Sequence, residues 1–91
     1  MPKYMIEREI PGAGAWSDEK LREVSQLSVE VLNQLGSQVQ WVQSYVTGDK
    51  VYCIYISATA DLVREHARIA GFPADRISEI RTLIDPSTAE R

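Results

Sequence analysis

The chain has a single histidine and a single cysteine, and each falls in an apolar stretch. His66 interrupts the apolar stripe of a predicted helix, and Cys53 lies in the middle of a predicted strand. An imidazole can bind a divalent metal or transfer a proton near neutral pH, and a thiolate can also bind a metal. Neither residue has CxxC or HxxxH spacing, so a metal site needs ligands from several strands or from two subunits. The alternative for both residues is an ordinary place in the core.

The charged triplet Glu7, Arg8 and Glu9 is the most unusual local feature. Side chains alternate along a strand, so Arg8 points away from the two acids. If this strand is central in its sheet, at least one charge faces a covered surface and must be paired, ligated or shifted in pKa. Glu7 is the predicted carboxylate partner of His66. The alternative is an ion pair, for example with Lys50 or Arg81.

Two tyrosines extend the set of reactive groups. Tyr45 and Tyr55 lie on neighbouring predicted strands and can share one hairpin face with Cys53. In a catalytic interpretation, His66 or Glu7 is the general base and a tyrosine is the proton donor. The structural interpretation places both aromatic rings in the core or in an interface.

The elements that position these residues follow the order βαββαβ. The predicted elements are a strand over Lys3–Ile10, a helix between Ser17 and Gly36, strands over Val39–Val46 and Val51–Ile56, a helix between Thr59 and Gly71, and a strand over Ile77–Ile84. Ser17 and Thr59 are N-caps, and Gly36 and Gly71 are C-terminal stops. The segment Pro11–Gly14 lacks the motif of a phosphate-binding loop and is a connector. The order predicts an α+β, ferredoxin-like sandwich with both helices on one face of a four-stranded antiparallel sheet.

That arrangement leaves the second face of the sheet uncovered. Alternation places Trp41 and Tyr45 on one face of their strand and Val42 and Val46 on the other, so neither face is polar. A second copy of the chain can cover the open face, because a two-fold interface uses the same patch twice. We therefore expect a homodimer, with small pockets between the two sheets.

Composition narrows the possible functions. The 91 residues predict one domain, 1–91, with a polar tail over 85–91. The net charge of -3 argues against a nucleic-acid partner. No apolar run is long enough to cross a membrane. The single cysteine and the absence of a signal-peptide pattern favour the cytoplasm.

The segment over 64–75, REHARIAGFPAD, resembles a family of small bacterial proteins described as nickel-binding or nickel-responsive. The most specific part is the pattern His-x-x-x-x-Gly-x-Pro-Ala-Asp, formed here by His66, Gly71, Pro73, Ala74 and Asp75. The resemblance spans about residues 3 to 84 and implies a dimeric α/β barrel. Of the imidazoles in its nickel-binding members, only His66 is present here, and Arg8 and Phe72 occupy the positions of two others.

Three functions follow as hypotheses. The first is a cytoplasmic dimer that binds nickel or another divalent metal through His66, with Glu7 or Cys53. The second is a cofactor-independent enzyme of the isomerase, cyclase, dehydratase or monooxygenase type, with His66, Glu7, Tyr45 and Tyr55 as candidate catalytic residues. The third is a structural dimer without a small ligand. Metal analysis of untagged protein separates the first from the second.

Overall fold

Four strands and two helices follow one another in the predicted order. The computed structural model describes residues 1–91. The elements are β1 (Lys3–Glu9), α1 (Asp18–Leu35), β2 (Val39–Val46), β3 (Lys50–Ser57), α2 (Ala60–Ala70) and β4 (Arg76–Ile80), with short 3-10 turns at Ala13–Ala15 and Pro86–Glu90. The predicted α+β, ferredoxin-like fold is therefore confirmed.

The sheet order is β2-β3-β1-β4, and all neighbouring strands are antiparallel. This order makes β1 and β3 the two central strands. The core lies between the sheet and the helices, where Val63 of α2 packs with Ile6 of β1 and Tyr55 of β3. Residues of α1, such as Leu32 and Leu35, pack against the same cluster. The other face of the sheet carries no helix.

The helix ends follow the predicted capping residues. The Ser17 hydroxyl accepts a hydrogen bond from the Lys20 amide at 3.1 Å, and the Thr59 hydroxyl accepts one from the Leu62 amide at 3.2 Å. Gly71 ends α2 in the left-handed conformation, with φ 76° and ψ 21°. A side chain on Cβ is strained at such a φ, which explains why glycine occupies this position.

A β-bulge in β2 changes which side chains face the helices. Trp41 and Gln43 lie opposite consecutive residues of β3, so Val42 is an extra residue in the ladder. The predicted sharing of faces is therefore wrong: Trp41 and Val46 line the helix-facing side, and Val42 and Tyr45 lie on the open side. Strict alternation fails here because the bulge shifts the phase of the strand by one residue.

The last strand is shorter than predicted and ends at Ile80 instead of Ile84. Ile80 pairs with Lys3, the first residue of β1, and Pro2 before it has no amide hydrogen to continue the ladder. Leu83 and Ile84 are consequently outside the sheet and are 70% and 76% exposed.

The connector after β1 packs against the turn between β2 and β3. The Gly14 amide donates to the Gly48 carbonyl at 3.0 Å, and the Gly12 amide donates to Asp49 Oδ1 at 3.0 Å. A Cβ on Gly14 would lie 2.7 Å from the carbonyl oxygen of Thr47, so only glycine fits this approach. The predicted connector thus also packs closely against the turn between β2 and β3.

Candidate functional site

Five of the buried polar or sulfur-containing side chains lie together beneath the helices. They are Arg8 of β1, Ser28 of α1, Cys53 and Tyr55 of β3, and His66 of α2, and each is at most 5% exposed. We call these five residues the buried cluster. It joins four elements of the fold through polar contacts rather than through apolar packing alone.

Arg8 is the central residue of the buried cluster and is 2% exposed. Its Nε donates to Cys53 Sγ at 3.4 Å, and one terminal nitrogen donates to the Tyr55 hydroxyl at 3.3 Å. The other terminal nitrogen donates to the Pro73 carbonyl. The guanidinium carbon lies 5.4 Å from the centre of the Phe72 ring, a cation–π distance. Arg8 forms no ion pair with a carboxylate.

The inward position of Arg8 follows from the alternation of β1. Tyr4, Ile6 and Arg8 are buried, whereas the residues between them are more exposed. Glu7 is therefore on the opposite face, where its carboxylate lies 3.7 Å from Arg76 Nε. The expected Glu7–His66 pair is not formed, because the even positions of β1 face the helices.

The remaining charges of the triplet form surface ion pairs. Glu9 lies 3.1 Å from Lys50, one of the two cations that the alternative interpretation named as examples. Arg81 instead lies 3.4 Å from Glu79. The sequence predicted that at least one charge of the triplet faces a covered surface, and Arg8 is that charge.

His66 is the α2 member of the buried cluster and is completely buried. Its Nε2 is 3.2 Å from the Ser28 hydroxyl, whereas its Nδ1 is buried without a hydrogen-bond partner. Burial, and next the positive charge of Arg8, lower the pKa of His66 below its usual value. The imidazole is therefore neutral at neutral pH, which suits a residue that holds Ser28 in place.

The two candidate tyrosines are on opposite faces of the sheet. Tyr55 is 1% exposed, and burial, followed by the neighbouring Cys53, raises its pKa to about 12. Tyr45 is 54% exposed and bonds to Gln43 on the open face. Tyr55 shares a face with Cys53 as expected, but the prediction that Tyr45 can join them is wrong because of the bulge.

A cavity of about 80 Å³ adjoins the buried cluster. Ten of its fourteen lining residues are hydrophobic, and both tryptophans of the chain, Trp16 and Trp41, are among them. The Trp41 indole donates to the Ser44 hydroxyl at 2.9 Å, which orders the wall formed by β2. Arg8 supplies the only charge in the lining. The cavity is thus an apolar space with one buried cation at its wall.

The predicted metal ligands do not gather in one place. The Cys53 sulfur accepts a hydrogen bond from Arg8, and His66 is hydrogen-bonded to Ser28. Glu7 is on the other face of the sheet. No group of three or more His, Cys, Asp or Glu side chains is arranged to hold a metal ion. Neutral or anionic ligands normally surround a metal, and here a guanidinium lies beside the thiol.

The sequence did not identify Ser28 as a site residue, and it did not show that Arg8 is the central residue of the buried cluster. Ser28 belongs to the predicted helical stripe of α1, but a serine on such a stripe looks like a small packing residue. Arg8 carried a signal, since alternation separated it from two acids. The missing information was which parity of β1 faces the helices, and the two buried residues Tyr4 and Ile6 supply it.

Comparisons with known proteins agree with this architecture. The crystal structure of SCO4226 from Streptomyces coelicolor A3(2) superposes with a TM-score of 0.76, at 20% sequence identity, over 90% of this chain and 99% of that one. No curated protein shows significant similarity to the sequence. No helix combines the length and apolar character needed to cross a membrane. The model of the family described as "Nickel responsive protein SCO4226-like" matches residues 4–80, which include both helices, the whole buried cluster and all of the two central strands except Lys3, and the chain therefore belongs to that family.

Proposed function

We propose that this protein is a homodimeric, cytoplasmic binding protein whose ligand site is the cavity beside the buried cluster. The observation that carries the proposal is the Arg8 guanidinium, which is 2% exposed, lacks a carboxylate partner and lines an apolar cavity. Buried charges are normally paired, and an unpaired one at a cavity is typical of a binding site. The buried free thiol of Cys53 suits a reducing compartment.

Nickel is the ligand to which the family description points, and the sequence predicted His66, Cys53 and Glu7 as its ligands. The residues present do not fit a nickel ion as one site, since Glu7 is on the opposite face and Arg8 bonds to Cys53. Arg8 and Phe72, which the resemblance places at two histidine positions, lie against each other, and Phe72 is 6.3 Å from His66. A nickel response of this chain therefore requires ligands beyond these three residues.

Binding of nickel is tested by metal analysis of untagged protein together with a Ni²⁺ titration. We expect His66→Ala to leave any Ni²⁺ affinity unchanged and to lower the melting temperature. Loss of a stoichiometric Ni²⁺ site in His66→Ala, with the fold intact by circular dichroism, would restore His66 as a metal ligand.

Homodimer formation is proposed from the open face of the sheet. This face and the chain segments beside it form a broad groove that contains Met5, Val42 and Ile54, together with the exposed Leu83 and Ile84. Contiguous apolar surface of this kind is typical of an interface. A two-fold contact would pair the groove with itself and produce the expected dimeric barrel.

Sedimentation velocity tests the dimer. Ile54→Lys places a charge on the open face and should convert the dimer to a monomer. Val29→Lys is the matched control, because Val29 is an exposed residue of α1, on the other side of the sheet. A wild-type particle of one subunit at micromolar concentration would contradict the proposal.

The cavity geometry favours binding over catalysis. A general base must lie within hydrogen-bond reach of the reacting group. His66 does not line the cavity, and its two neighbours Ser28 and Tyr55 do. We therefore propose that His66 positions Ser28 and does not itself contact a ligand.

A further inference from the structure

The hydrogen bonds of Arg8 leave part of its guanidinium free. A guanidinium has five N–H donors, and the three bonds to Cys53, Tyr55 and Pro73 use each nitrogen once. Two N–H donors remain, one on each terminal nitrogen. The three acceptors are the Cys53 sulfur, the Tyr55 hydroxyl and the Pro73 carbonyl, so none of them is a carboxylate that pairs with the positive charge.

No carboxylate of the chain lies within ion-pair distance of Arg8. Tyr55 holds its proton more tightly than usual, because burial and Cys53 raise its pKa to about 12. The nearest acids along the chain, Glu7 and Glu9, are on the other side of β1 from Arg8 and form their own ion pairs with Arg76 and Lys50. Burying a cation without a counter-ion is costly, and a bound anion removes that cost.

The cavity defines the rest of the ligand. Its volume of about 80 Å³ accommodates on the order of five or six water-sized groups. Its walls are mainly apolar and aromatic, including Trp16, Trp41 and Phe72, and the hydroxyls of Ser28 and Ser44 add a small polar area. Val46 at the lining is 43% exposed, so the cavity is accessible from solvent. A ligand that fits must combine one negative charge with a short apolar body.

We propose that the cavity binds a small organic monocarboxylate, with the carboxylate on Arg8 and the apolar chain between the two tryptophans. This inference rests on the proposed binding function and assigns its ligand class. A planar carboxylate matches the fork of a guanidinium, and a single cation balances a single negative charge. Inorganic phosphate is a poorer match, because it carries more charge than Arg8 can balance and has no apolar part to contact the walls.

Butyrate and its neutral isostere butyramide are the probes that test the ligand class. Both tryptophans of the chain line the cavity, so tryptophan emission reports occupancy directly. We expect butyrate to bind at least about tenfold more tightly than butyramide, a ratio that corresponds to about 1.4 kcal/mol. Inorganic phosphate should bind more weakly than butyrate.

Arg8→Met tests the role of the guanidinium. This variant should lose the preference for butyrate over butyramide, while butyramide still binds. If Arg8→Met does not fold, a pair of variants on α1 tests whether butyrate binds in the cavity. Val24→Trp fills the cavity and should abolish butyrate binding, whereas Val29→Trp places the same side chain outside it and should leave binding unchanged.

The outcomes separate the ligand class from the proposed function. If butyrate and butyramide bind with equal affinity and Val24→Trp abolishes the binding of both, the carboxylate assignment is overturned and the cavity remains the binding site. Binding of neither probe would overturn the carboxylate assignment as well, and a thermal shift with a library of neutral compounds, abolished by Val24→Trp, would then decide whether the binding function stands. Ultraviolet absorbance of a Cys53 thiolate, absent in Cys53→Ala, would also overturn the assignment, because Arg8 would then have an internal counter-ion.

Discussion

The two faces of the sheet reverse the usual distribution of polar and apolar groups. The helix-facing side buries Arg8, Tyr55 and their hydrogen bonds, whereas the open side exposes apolar side chains such as Val42 and Tyr45. Buried polar groups and exposed apolar patches are the informative exceptions to the rule of burial. The inner face thus carries the features expected of a ligand site, and the outer face carries those expected of an assembly surface.

The largest expected contrast is between Ile6→Ala and Met5→Ala, neighbours on opposite faces of β1. Ile6 is completely buried in the core, so its truncation should lower the free energy of unfolding by about 2–5 kcal/mol at any protein concentration. Met5 is in the open groove, so the effect of its truncation should be largest at high protein concentration and should shrink as dilution dissociates the proposed dimer. Urea denaturation at two protein concentrations measures both effects. Concentration-independent effects in both variants would contradict the assignment of the open face to assembly.

Tyr55→Phe and Tyr45→Phe form the next contrast. Tyr55→Phe removes an acceptor from the buried Arg8 and should cost about 1–3 kcal/mol, whereas the exposed Tyr45→Phe should cost less than about 0.5 kcal/mol. Because the pKa of Tyr55 is raised to about 12, the unfolded chain loses this proton first, and stability should decline between about pH 10 and pH 12. That part of the decline should be absent in Tyr55→Phe and present in Tyr45→Phe, as measured by chemical denaturation.

The titration of His66 should make the free energy of unfolding depend on pH below neutrality. Its pKa is lowered by burial and by Arg8, so the unfolded chain takes up this proton first as the pH falls below about 6.5. The resulting loss of stability is at most about 1.4 kcal/mol per pH unit and stops at the folded-state pKa. His66→Gln should flatten the pH dependence between neutral and mildly acidic pH. An unchanged slope in that variant would show that His66 is not a buried neutral imidazole.

The smallest effect is expected for Glu7→Gln. Its ion pair with Arg76 is on the open face and partly exposed, so the change should cost about 0.5 kcal/mol or less. The His66 pKa, measured by NMR titration, should stay the same because the sheet separates the two residues. A shift of that pKa would support the Glu7–His66 pair that the sequence first suggested.

Much of the fold was predictable because its signals are local. Caps at Ser17 and Thr59, the glycine at position 71 and the apolar runs of the strands each depend on a few neighbouring residues. The composition of the site was less predictable, because a shift of one residue along a strand changes which side chains face the helices. Alternation alone could not tell whether Glu7 or Arg8 faces the helices, and the bulge moved Tyr45 away from Cys53. Contacts between distant elements, such as Ser28 with His66, leave no local pattern in the sequence.

The bulge at Val42 also determines which changes of chain length the protein can accept. Since Val42 is the extra residue, its deletion would restore a regular ladder in which Trp41 and Ser44 keep their present faces. Deletion of Ser44 would instead rotate the rest of β2 and expose the cavity wall. The strand can therefore lose one residue at the bulge without moving the side chains of β2 that line the cavity. Relatives of different hairpin length should show their one-residue gap at the position of Val42.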